Sequence, residues 1–258
     1  MNQNNMESLV QLIERDILVG LKIETEAEGS SWLGINRLAV IAGRLGLPMY
    51  VKIGGCEAKT DIIQLRWLDV DGVIGPMIES AFSTEKFGDA LATGWPGLPS
   101  ERMVLIETIT ALENLDSILN ASQSFATGIN FGRSDFAASL LAEKRVEQSV
   151  SQDSDEVLSL MGAGVVRAKT AGFRTCMGGR MTAASVAKLQ SMDWANSLDR
   201  IETRRLVLSW PKVESNPDVL NDVLKAEYEL AHGALTVLSD ETAMLSRYVG
   251  EVKSRIVD

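Results

Sequence analysis

Glu107 and Asp135 are the residues whose type and position point most directly to chemistry. Each carboxylate stands where an apolar run ends. Met103-Val104-Leu105-Ile106 leads into Glu107, and Gly128-Ile129-Asn130-Phe131-Gly132-Arg133-Ser134 leads into Asp135. A helical stretch separates the two runs, so they read as consecutive parallel strands of one sheet, and both acids emerge on the same edge. Barrels carry their reactive groups at the carboxyl ends of their strands. Two carboxylates there, in a chain with a single histidine, suit a hard divalent cation held by oxygen ligands.

Other polar residues reach the same edge. Lys52 lies inside the apolar run Met49–Ile53, just ahead of Gly54-Gly55. A lysine in a strand interior is costly unless it meets an anion or opens into a cleft. It could stabilise an enolate or carboxylate, or act as a Schiff-base nucleophile. Lys22 on the neighbouring strand is of the same kind, and a structural ion pair is its plain alternative. Glu24, Glu26 and Glu28 alternate, so on an extended segment they share one face. One of them, Glu24 or Glu26, is the expected general base; a solvated loop is the bland reading. Gly54, Glu79 and Ser80 are candidate pocket residues. Arg174 and Arg204 could bind a distal anion or form salt bridges. Gly178-Gly179 suggests a close backbone approach or a tight turn. Cys56 reads better as a small buried thiol than as a nucleophile.

These residues need a scaffold, and apolar patterning supplies one. Strand-like runs at Ile17–Ile23, Met49–Ile53, Gly72–Met77, Met103–Glu107, Thr127–Phe131, Phe173–Met177 and Arg204–Ser209 alternate with helical spacing. That alternation predicts an α/β fold with a parallel sheet. Seven strands are legible, with the gap in an eight-stranded barrel placed at a missing first strand. A polar stretch, Ala142–Ser154, follows Asp135 on the same edge, as a mobile lid or a surface insertion. From Pro217 the chain is helical, with a break near Ser239 and apolar positions to spare for oligomer contacts. No linker or repeat divides residues 1–258, so one domain is expected.

Composition narrows the function. The chain has 258 residues, is 45% hydrophobic and carries a formal charge of -10. It shows no basic stripe or aromatic platform for nucleic acid, and no P-loop or GxGxxG pattern. Two distant cysteines fit a reducing compartment. The polar start lacks a signal-peptide core, and no run is long enough to span a bilayer. A cytoplasmic protein acting on a small molecule is the expectation. The lone His232, in a helical pattern, makes multi-histidine zinc sites and Ser-His or Cys-His mechanisms improbable and reads best as a surface or interface residue.

The stretches Val104–Leu119 and Gly128–Leu140, with Gly75–Ser80 ahead of them, resemble the metal-binding half of the HpcH/HpaI aldolase and citrate lyase beta-chain family; the likeness extends from about Leu18 to Ser209. It implies a modified TIM barrel of the phosphoenolpyruvate/pyruvate type, with Mg²⁺ or Mn²⁺ on Glu107 and Asp135 and C-terminal helices used in homo-oligomers. The implied reaction makes or breaks a C–C bond beside a 2-oxo acid, such as pyruvate or oxaloacetate, or a thioester. Backbone N–H groups at Arg133, Ser134 and Asp135 would grip the substrate carboxylate. Two departures stand out. Lys52 occupies the place of an arginine, keeping the charge but losing the bidentate fork. No histidine follows the strand ending at Ile23, where the citrate lyase branch carries acids. A metal-independent Schiff-base aldolase on Lys52 or Lys22, or a barrel that binds without turnover, are the alternatives.

Overall fold

The computed structural model describes residues 4–25, 30–235 and 242–257. Among these residues, eight strands close a barrel in sequence order. They are β1 (Leu18–Glu24), β2 (Met49–Lys52), β3 (Gly72–Gly75), β4 (Glu101–Ile106), β5 (Gly128–Gly132), β6 (Arg174–Gly178), β7 (Arg200–Glu202) and β8 (Leu206–Ser209). The first seven run parallel. The eighth is antiparallel to both its neighbours, β7 and β1.

This arrangement corrects the expected strand count. The first strand is present, and the hidden one is β7. Three residues carry too little alternation to be read, and the chain then reverses through Thr203–Arg205 into β8. The reversal has a consequence for chemistry. A parallel strand would have started at the lower edge of the barrel, but β8 starts at the upper one, so Arg204 and Arg205 stand at the mouth. The turn is held by Glu227 of α11 (Val219–Leu235), a buried acid whose Oε1 accepts from Thr203 Oγ1 and from the Arg205 N–H, both at 2.6 Å.

Inside the barrel a small apolar layer of Ile74, Met103, Leu105, Cys176 and Val207 surrounds the Tyr50 ring. A Cβ at Gly72 would come 2.5 Å from that ring and one at Gly20 2.4 Å, so both positions are glycine to admit it. Below this layer Glu101 takes Arg200 at 2.9 Å and Arg174 at 2.6 Å. All three residues lie at the amino-terminal ends of their strands, so Arg174 closes the floor and does not reach the mouth. Burial pushes the Glu101 carboxyl up, but Arg200 and Arg174 outweigh it and hold the group below its ordinary value. The larger core lies between the strands and the helices packed around them.

The helices start where short polar side chains can satisfy the free N–H groups of a first turn. Ser80 and Ser83 form a reciprocal capping box at α4 (Ala81–Gly94). Thr108 caps α5 (Ile109–Glu113), and Ser154 caps α8 (Asp155–Thr170). The helical stretch expected between the strands that lead to Glu107 and Asp135 is two pieces, α5 and α6 (Leu115–Ser122), which meet at Asn114. Asn114 Nδ2 donates to the Glu79 carbonyl at 2.9 Å, tying the break to the end of the third strand unit. The last helix, α12 (Thr242–Val257), packs on α11 through Tyr248 and Val252 and folds back over its own barrel.

Candidate functional site

The carboxyl ends of the strands surround a cavity of about 260 Å³. Lys22, Glu24, Lys52, Glu107, Ser134 and Asp135 all line it, together with Gly178, Gly179 and Arg204, so the structure unites nine of the residues singled out from sequence. Glu202, Arg180, Arg204, Glu251 and Arg255 complete its charged wall.

Lys52 stands between two carboxylates. Pairing of β1 with β2 sets Glu24 opposite Lys52. The lysine Nζ lies 3.6 Å from Glu24 and 3.5 Å from Glu107 Oε2. Glu107 is 2% exposed, and its other oxygen accepts the Met77 N–H at 3.0 Å. Met77 adopts a φ of 52°, unusual for a residue with a side chain, and that turn aims its N–H at the carboxylate. One oxygen of Glu107 is thereby fixed, while Oε2 faces Lys52 and the cavity. Gly132 protects this arrangement, because a Cβ there would come within 2.9 Å of Glu107 Cβ and 3.1 Å of Oε2.

Lys22 is paired differently. Its Nζ donates to Glu202 Oε1 at 2.5 Å, while Glu202 Oε2 accepts from Asn130 at 3.4 Å and Cys176 at 3.7 Å. Burial pulls the lysine pKa down, but Glu202, aided by Glu24, overcomes this and leaves it above the ordinary value. A lysine held protonated is a poor amine nucleophile, which argues against Lys22 as a Schiff-base residue. Burial and then Glu202 also raise the Cys176 thiol well above its usual range, which keeps it inert.

Asp135 is exposed in the first turn of α7 (Arg133–Ala142), which follows directly from β5. Gly132 at the helix start has no side chain to cap the first turn, so its N–H groups have no side-chain cap. The Arg133 side chain is fully buried and takes no part in the cavity. It donates to the carbonyls of Gly178 at 3.0 Å and Gly179 at 2.5 Å and pairs with Asp153. The role expected of Arg133 concerns its backbone N–H, which these side-chain contacts leave unaffected. The stretch Ala142–Ser154 is tied down at its far end. Gln152 accepts from Ser134 Oγ at 2.6 Å, and Asp153 holds Arg133 and Ser185.

Several expected residues fall elsewhere. Glu26 and Glu28 lie outside the described residues. Gly54 is exposed, and its N–H donates to Asp61 at 2.9 Å in a turn that does not line the cavity. Glu79 accepts from Thr108 Oγ1 at 2.7 Å, beside Glu107 but outside the lining. Ser80 caps α4. Cys56 is half-buried against the outer core. His232 is exposed on α11 and stacks on Tyr228. Arg204 does reach the mouth, 3.5 Å from Glu251 and over the Tyr248 ring.

Glu202 is the main residue that sequence reading missed. It obeys the rule that finds Glu107, an acid closing a strand, but its strand has three residues. Glu251 and Arg255 were unreadable because only the fold-back of α12 brings them to the mouth.

The donor set fits a hard divalent cation. Among the described residues no three His, Cys, Asp or Glu side chains cluster as a complete cage. Mg²⁺ and Mn²⁺ do not require one, since they commonly take one or two carboxylates and complete their shell with water and substrate oxygens. Five carboxylates line the cavity, Glu24, Glu107, Asp135, Glu202 and Glu251; Glu202 is taken by Lys22 and Glu251 by Arg204, and Glu107 and Asp135 are the pair singled out from sequence.

The sequence matches no protein-family model and no curated protein. Solved structures do match. An HpcH/HpaI aldolase from Desulfitobacterium hafniense DCB-2 has 16% identity and a TM-score of 0.59, covering 79% of this chain and 82% of its own. An HpcH/HpaI aldolase/citrate lyase family protein from Burkholderia cenocepacia J2315 has 12% identity and a TM-score of 0.58, covering 84% and 98%. The citrate synthase SbnG has 15% identity and a TM-score of 0.56, covering 85% and 98%. The chain has the α/β-barrel fold of these structures.

Proposed function

We propose that the protein is a carbon–carbon lyase, aldolase or citrate-lyase-like, acting on a 2-oxo acid or acyl thioester through an enolate and dependent on Mg²⁺ or Mn²⁺. The observation that carries this reading is the cavity in which Lys52 lies 3.5 Å from Glu107 and which Asp135 also lines. The shared fold supports it.

A cation on Glu107 and Asp135 would polarise the substrate oxo group as a Lewis acid. The protein's residues do the rest. Lys52 brings a fixed positive charge to the oxygen on which negative charge develops, where a preorganised cation is most effective. The N–H groups of Ser134 and Asp135 at the start of α7 bind the substrate carboxylate. Glu24, held beside Lys52, takes the proton when the enolate forms and returns it when the enolate is protonated. Glu202 holds Lys22 in place as a second positive charge.

Calorimetric titration of EDTA-stripped protein with Mn²⁺, with and without oxalate, tests the reading. Binding that oxalate tightens, and that Glu107→Gln and Asp135→Asn abolish, is the expected result. No Mn²⁺ binding to the wild type would remove the proposal.

A further inference from the structure

We infer that Glu79 is a positioning residue for Glu107: it stays outside the cavity, yet it pins both segments that aim the Glu107 carboxylate at the cation. The inference rests on the metal reading above. Glu107 is gripped at two points. One is the Met77 N–H, which donates to Oε1 at 3.0 Å. The other is Thr108, the next residue in the chain, whose hydroxyl fixes the backbone on which Glu107 stands. Both grips lead to Glu79.

Glu79 is half-buried, two residues beyond Met77, and three of its polar groups are committed. Its N–H donates to Ser83 Oγ at 3.2 Å, within the capping box of α4. Its carbonyl accepts from Asn114 Nδ2 at 2.9 Å, at the break between α5 and α6. Its Oε1 accepts from Thr108 Oγ1 at 2.7 Å. One residue thus ties the loop after β3 to the start of α4, to the start of α5 and to the α5–α6 break.

The first consequence concerns Met77. A φ of 52° is kept by a residue with a side chain only where its surroundings over-determine it. Met77 is bounded by Pro76, whose ring fixes its own φ, and by the Glu79 clamp. Without the clamp the loop would relax toward negative φ, and the Met77 N–H would leave Glu107 Oε1.

The second consequence concerns Thr108. Its oxygen already accepts the Ala111 N–H at 3.1 Å as the cap of α5, so its one hydroxyl proton needs an acceptor. A carboxylate, which only accepts, suits that proton. It orders Thr108 and with it the peptide that joins Thr108 to Glu107. Outer groups of this kind orient the oxygens that hold a metal, and losing one costs about 10- to 100-fold in metal affinity.

The test uses wild type, Glu79→Gln and Glu79→Ala. Glutamine keeps an oxygen that accepts from Thr108; alanine removes the acceptor. Calorimetric titration with Mn²⁺ should show Glu79→Ala weaker by about 10- to 100-fold and Glu79→Gln close to wild type. Amide hydrogen exchange of the metal-free proteins, followed by NMR, reads the positioning itself. In Glu79→Ala the Met77 amide should exchange about tenfold faster, the worth of one lost hydrogen bond. Amides of β8, opposite β4 in the barrel, should keep their wild-type rates.

Acceleration of all amides alike would make Glu79 a contributor to overall stability only and overturn the inference. Unchanged exchange at Met77, or a loss of affinity in Glu79→Gln as large as in Glu79→Ala, overturns it too. If Glu79→Ala does not fold, Asn114→Ala, made at an exposed side chain, releases the same clamp from its other end. It should move both readouts in the same direction, and the inference fails if it moves neither. A wild type that binds no Mn²⁺ removes the metal reading and this one with it. A wild type that binds Mn²⁺ no more tightly than Glu79→Ala removes this one alone.

Discussion

Lys22 Nζ lies 2.5 Å from Glu202 Oε1, although the two residues are 180 positions apart in the chain. The pair joins the first strand to the seventh across the barrel mouth, and both members are buried. Two opposite charges so placed are costly to separate, because each would remain in a medium that solvates it poorly.

Removing one partner should therefore cost more than removing both. Glu202→Leu is expected to destabilise the protein by about 3–5 kcal/mol by stranding Lys22. The double variant Lys22→Met/Glu202→Leu should recover much of that loss. Urea unfolding midpoints of the four proteins in the cycle measure the difference; equal losses in the single and double variants would contradict it.

The same pair predicts a direction with pH. The Lys22 pKa is raised in the fold above its ordinary 10.5. Its contribution is thus fully present below the unfolded value and is lost as pH rises through the folded one. Subtracting the double variant's stability from that of the wild type should give a constant difference from pH 6 to about pH 9, falling only above about pH 10.5.

Lys52 should act through its charge. Lys52→Ala is expected to lower the rate of pyruvate deuterium exchange by about 10²–10³-fold, the usual effect of losing one stabilising group at a developing oxyanion. Lys52→Arg should retain a substantial part, since the charge is kept. Borohydride in the presence of pyruvate should leave no covalent adduct on either Lys52 or Lys22. A trapped adduct, found by mass spectrometry, would replace the metal reading with a Schiff-base one.

Gly132→Ala tests the fixed position of Glu107. The backbone there has a φ of -99°, which alanine adopts freely. The added methyl would press on Glu107 Cβ at 2.9 Å. The variant should fold with a penalty of about 1–3 kcal/mol, yet bind Mn²⁺ at least tenfold more weakly in calorimetry. Unchanged Mn²⁺ affinity would show that Glu107 can move without consequence.

The local sequence determined a good deal. An apolar run of four to seven residues followed by a polar one specifies a strand end, and alternation with helices specifies which edge that end occupies. Glu24, Lys52, Glu107 and Asp135 were all legible on that ground, and the cavity contains all four. Tertiary structure decided the rest. Nothing in Arg200–Arg205 signals a three-residue strand and a reversal, because hydrogen bonds to β6 and β1, not local periodicity, define them. That reversal brings Glu202 to Lys22 and Arg204 to the mouth. Arg174 and Arg204 looked alike as strand-end cations, but one closes the floor and the other the rim, since strand direction sets the edge. The local sequence assigned a role to the Arg133 backbone only; that its side chain is buried against Gly178, Gly179 and Asp153 is a matter of tertiary structure. Periodicity reports which face of a strand is apolar; which charged group meets which depends on contacts between residues far apart in the chain, and only closure of the barrel creates those.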